Sequence, residues 1–177
     1  TKEQILLDIK KLVVRGLFKE GILFLEKKSN SFFFIPRTSF LKKEYFFLKG
    51  ILLYYLGQYR KALTYLKKAV LCPQIDRAEI HYYLVTTCVR LRNMNKAKYY
   101  FNRALDHASN PFYAVMSYYE CLRAGMETSI RPDQIKELLP EPCDTMLDKL
   151  SYAVYYSVIH DDIKAMVLTE SLISEDK

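Results

Sequence analysis

One pattern of thirteen residues occurs three times in this chain. Gly16–Lys28, Gly57–Ala69 and Arg92–Ala104 align without gaps. Each begins at a turn and places Phe18, Tyr59 or Met94 two residues on. Gly21, Ala62 or Ala97 follows three later, and Leu25, Leu66 or Phe101 four after that. A repeated apolar face can be buried only by the next copy, so a repeat constrains architecture more than any single motif does.

The middle copy predicts a helix over about Lys43–Leu56, a stop at Gly57 and a second helix from Tyr59 to about Leu71. Glycine suits the left-handed backbone of a helix stop. Small residues Gly50, Ala62 and Ala69 fall where two helices must approach, with Phe46, Leu53, Tyr59 and Leu66 between them. The next unit keeps this form with Leu84, Cys88, Met94, Ala97, Phe101 and Ala104.

These units resemble the tetratricopeptide (TPR) motif, a helix pair of about 34 residues. Val85 departs from it where the motif prefers glycine. Ala62 and Ala97 stand 35 residues apart, which puts one extra residue in the loop holding Pro73 and Asp76. Residues 3–28 read as a degenerate first unit, followed by an inserted Phe-rich connection over 29–42. Pro111 is expected to open a helix to Ala124, with Asn110 as N-cap and Gly125 as stop. The short helix expected after Pro132 fits a second half poorly. A last pair covers about Thr145–Ile159 and Asp161–Ser174, with Asp161 and Asp162 at the helix start. Ala165 lies 68 residues after Ala97, so the phase survives the weak unit. The expected fold is therefore all-α: one domain, a right-handed superhelix of about four TPR-like antiparallel pairs. Residues 1–42 form the degenerate first pair and connection, 43–109 two well-formed units, and 110–177 degenerate pairs.

Composition agrees with a helical array. Half of the 177 residues are hydrophobic, with 15 Tyr and 10 Phe but five Gly, and no alternating strand pattern with hairpin signals occurs. No secretory signal is seen, and the apolar run Tyr45–Leu56 contains Lys49 and is too short for a bilayer. Cys72, Cys88, Cys121 and Cys143 lack a Cys-x-x-Cys pair and read as reduced structural thiols of a nuclear or cytoplasmic protein. Beginning on threonine, the chain is expected to be a region of a longer one.

The net charge of +7 conceals an asymmetry. Residues 1–110 carry 21 Lys and Arg against 8 Asp and Glu, whereas residues 111–177 carry 6 against 12. Such a split can steer an acidic partner, favour head-to-tail self-contact, or simply solubilise outer faces. Lys27–Lys28, Arg60–Lys61, Lys67–Lys68, Lys96 and Lys98 lie on second helices, expected to form the outer wall.

Nothing in the sequence assembles catalytic chemistry. His81, His107 and His160 are far apart, with no His-x-x-x-His pair and no phosphate-binding glycine loop. His81 occupies an aromatic position of the repeat, and Asp161–Asp162 reads as a helix cap rather than a cation site. No enzyme activity, metal or cofactor is expected. Nucleic-acid binding by residues 1–110 is a third possibility, opposed by the aromatics being needed for packing.

The TPR resemblance implies a binding wall on the first helices. It maps onto Glu44, Phe47, Ile51, Tyr54 and Tyr55 of one unit and Glu79, Tyr82, Thr86, Val89 and Arg90 of the next. Phe47, Ile51 and Tyr82 stand where TPR co-chaperones that hold a C-terminal carboxylate need polar groups, so no such clamp is expected. The order of features resembles the N-terminal region of the TPR scaffold subunits of the anaphase-promoting complex: a pair carrying Ile9–Leu17, an inserted Phe-rich connection, two good units over Glu44–Leu105, then degenerate pairs. That resemblance implies a nuclear, non-catalytic scaffold whose repeats form a homodimer and contact further subunits. The alternative is a monomeric adaptor that binds a linear peptide. No membrane partner is expected.

Overall fold

Four turns between helices are three residues long and close in the same way. In the computed structural model, residues 1–70, 77–106, 111–128, 130–141, 143 and 145–175 are described. The helices are α1 (Lys2–Val14), α2 (Phe18–Lys27), α3 (Phe40–Tyr55), α4 (Tyr59–Ala69), α5 (Arg77–Arg90), α6 (Met94–Asp106), α7 (Pro111–Arg123), α8 (Pro132–Lys136), α9 (Met146–Val158) and α10 (Asp162–Glu175). A short 3-10 turn covers Ser29–Phe32. No strand occurs among the described residues.

At the end of α3 the Gly57 N–H donates to the Tyr54 carbonyl (3.0 Å) and the Gln58 N–H to the Leu53 carbonyl (2.9 Å). This double bond pattern is a Schellman stop, which satisfies carbonyls that the helix leaves open. It recurs after α1 at Gly16, after α5 at Arg92, after α7 at Gly125 and after α9 at His160. The central residue has positive φ each time: 71°, 74°, 54°, 69° and 59° in chain order. Arg92 and His160 thus hold a left-handed backbone without being glycine.

Turns this short force antiparallel pairing of α1 with α2, α3 with α4, α5 with α6, and α9 with α10. The odd-numbered helices also pack in succession, α1 on α3, α3 on α5, α5 on α7 and α7 on α9. Their apolar residues make one continuous core from Leu6 and Ile9 to Tyr152 and Tyr155. Gly50 lets α4 approach α3, since a Cβ there would lie 2.7 Å from Cγ of Leu66, itself fully buried.

Between α7 and α9 the described residues form one short helix, where the sequence leads one to expect a poor second half. α8 is a single turn opened by Pro132. Two tyrosine hydroxyls tie this segment down: Tyr118 donates to the Ile130 carbonyl (3.4 Å) and Tyr152 to the Pro140 carbonyl (3.3 Å).

One boundary differs from expectation. α3 begins at Phe40 rather than Lys43, because the Ser39 hydroxyl caps it by accepting from the Lys42 N–H (3.3 Å). Asn110, Pro73, Asp76, Cys72, His107 and the expected helix end at Leu71 lie outside the described residues. No helix among the described residues is long and apolar enough to cross a membrane.

Candidate protein-binding cleft

α1, α3 and α5 lie side by side on one face, and a cleft of about 480 Å³ runs between them. Its floor comes from α3, whose residues Glu44, Phe47, Leu48 and Ile51 recur at i, i+3, i+4 and i+7 and so share one side of the helix. Val13 and Val14 of α1 form one wall, Glu79 and Tyr83 of α5 the other, and Phe40 closes an end. Val14 is 87% exposed, an apolar side chain with no cover at the lip of an apolar cleft. Glu44 is nearly buried and ion-paired with the half-exposed Lys10. The lysine thereby neutralises a carboxylate that burial alone would make costly.

Beside the cleft, aromatic rings form a continuous ladder across four helices. Phe18 of α2 stacks on Tyr55 (4.3 Å between centroids, 7° between planes). Tyr55 meets Tyr54 at 5.3 Å, and Tyr54 meets Tyr83 at 5.7 Å. Phe47 and Tyr82 approach Tyr83 at 6.1 and 5.2 Å, and Tyr82 continues to Tyr113 of α7 at 5.9 Å. Most of these contacts are edge-to-face, the geometry that the ring quadrupole favours. The Tyr55 and Tyr83 hydroxyls lie 3.3 Å apart. Burial, above all other causes, raises the pKa of Tyr82 and Tyr83, so both stay neutral phenols.

The ten residues expected on the wall separate into groups. Glu44, Phe47, Ile51 and Glu79 line the cleft, and Tyr54, Tyr55 and Tyr82 belong to the ladder. Arg90 is exposed beside the Tyr54 hydroxyl, which is the main cause raising its pKa. Val89 is half-buried against the core. Thr86 is buried (2% exposed), its hydroxyl donating to the Tyr83 carbonyl of its own helix (3.2 Å), so it presents nothing to a partner. Sequence reasoning missed Tyr83, Leu48, Phe40, Lys10, Val13 and Val14. The last three lie within Ile9–Leu17, a stretch that enters the sequence argument only as part of the first helix pair.

Cys88 and Cys121 are buried, and burial pushes their thiols up to about 11 and about 12. His81 is buried with its ring against Tyr100 at 6.1 Å. Among the described residues no group of His, Cys, Asp and Glu could hold a metal ion.

The face away from the cleft is basic. Lys42, Lys49 and Lys68 sit over the rings of Tyr45, Phe46 and Tyr65 at 4.8 to 5.8 Å from the centroids. Burial, then the charges of Arg37 and Lys68, lower the pKa of Lys42. No family model, no curated protein and no solved structure matches this chain.

Proposed function

We propose that this chain is a non-catalytic protein-interaction module, a TPR-like superhelix whose α1–α3–α5 cleft receives a protein segment. On this reading it self-associates as part of a multisubunit scaffold of the kind found in cell-cycle ubiquitin ligases, in the nucleus or cytoplasm. The observation that carries the reading is the cleft itself: an apolar trough with uncovered Val14 at its lip, stiffened by the aromatic ladder. Such a groove suits an amphipathic helix, and a second copy of α1 is one. Tyr45 and Phe46, 6% and 7% exposed beneath their lysines, cannot stack on bases.

Light scattering tests it. The unaltered chain is expected to dimerise at tens of micromolar, and Val14→Glu to weaken that dimer by at least about tenfold. The scale follows from losing the burial of one valine, about 1.5 kcal/mol or more. Because Val14 is exposed, the variant keeps the parent's melting temperature at concentrations where both are monomeric. A monomer at every concentration removes the homodimer, and capture of short peptides by that monomer makes the chain an adaptor instead.

A further inference from the structure

The connection between α2 and α3 is anchored by one phenylalanine and displays the next two. Phe32 is fully buried and stacks on Tyr45 at 4.9 Å, while the Lys42 ammonium donates to its carbonyl. Phe33 and Phe34 point away, 74% and 90% exposed, touching edge-to-face at 5.2 Å. Two uncovered aromatic rings on a tethered turn form a ready anchor, since rings of this kind dominate interface energetics. Five Lys or Arg and no Asp or Glu occur over residues 27–43.

The other end of the molecule has the complementary shape and charge. α7, α9 and α10 enclose an apolar cleft of about 540 Å³, lined by Met116, Tyr119, Leu150, Val154 and Met166. Its volume is within the range of pockets that hold a ligand of a few rings. α10 adds Ile163, Val167 and Ile173, each more than half exposed, and none of its described side chains is buried. Residues 145–175 carry five Asp or Glu against two Lys. The 3-10 turn packs on α2 and α3, whereas α10 packs on α9, so anchor and cleft stand at opposite ends of the helix row. One molecule therefore cannot fill its own cleft.

We propose that Phe33 and Phe34 of one copy insert into the α7–α9–α10 cleft of a second copy, joining molecules head to tail. A surface knob matching a hole elsewhere on the same chain makes a heterologous contact, which extends into a row unless rotation closes it. Opposite charges at the two ends favour this orientation and oppose like-end contacts. This contact is separate from the α1–α3–α5 cleft and does not depend on it.

Sedimentation in the Val14→Glu background, where groove dimers do not contribute, isolates the contact. Average mass is expected to rise with concentration beyond a dimer and to fall as salt is raised. F33S/F34S removes the knob and Met166→Arg spoils the hole, with Ile163→Arg as a second hole variant. Each is expected to weaken self-association at least tenfold. Mixing the knob variant with a hole variant leaves one intact junction and should yield a 1:1 dimer of parental affinity, which only folded variants can form. The proposal is overturned if the parent shows no concentration-dependent growth. It is equally overturned if variants melting like the parent associate as it does, or if their mixture stays monomeric.

Discussion

Arg92 and His160 show how one residue can do a glycine's work at some cost. Both occupy the left-handed position of a helix stop, at φ 54° and 59°, where Gly16, Gly57 and Gly125 stand in the other stops. A residue with a Cβ loses about 1–2 kcal/mol in this conformation. Glycine regains that but adds unfolded-chain entropy worth about 0.4–1 kcal/mol. The first quantity is larger. Arg92→Gly and His160→Gly are therefore each expected to stabilise the fold by about 0.5–1 kcal/mol, or a few degrees in Tm by calorimetry. An unchanged or lower Tm would show that the side chains contribute more than the strain they impose. Alignment of Arg92 with Gly16 and Gly57 was legible in the sequence; the strain it implies was not, because φ is a property of the folded backbone.

At the scale of an element, helix pairing depends on what the small residues permit. α3 and α4 meet where Gly50 faces Leu66, and an added methyl would lie 2.7 and 2.8 Å from two carbons of that buried side chain and 3.2 Å from its backbone nitrogen. Alanine's better helix propensity gives back about 1 kcal/mol. Overpacking a site that cannot yield costs about 1–3 kcal/mol. We expect Gly50→Ala to destabilise on balance, by about 1 kcal/mol in a urea titration, and Gly50→Ala with Leu66→Ala to show a non-additive, smaller loss than the sum. Additive losses would mean that α4 shifts to admit the methyl. The positions of Gly50, Ala62 and Ala69 were readable from the repeat, since small residues at fixed spacing predict close approach. The start of α3 was not, because the Ser39 cap competes with a Phe-rich run that carries no helical period of its own.

For the whole molecule, stability is expected to be graded along the row. Each helix pair contacts mainly its neighbours, and the pairs differ in how much they bury. α3 contributes nine buried residues, α1 only Leu6 and Ile9, and α10 none among its described side chains. Native-state hydrogen exchange should therefore protect α3 to α6 most and α10 least, with α1 between. Uniform protection would indicate that the row unfolds as one unit. The ends matter for function because uncovered surface gathers there: Phe33 and Phe34 at one end, Ile163, Met166, Val167 and Ile173 at the other. The order of amino acids by itself determined the helices, their turns and their pairing, because periodicity, stop residues and small-residue spacing act within a few residues of one another. Only the tertiary structure decided which apolar residues the packing leaves over. Thr86 was lost to the interior, while Tyr83 and Val14 came to line the cleft. Exposure depends on which distant helix covers a face, and no local pattern encodes that.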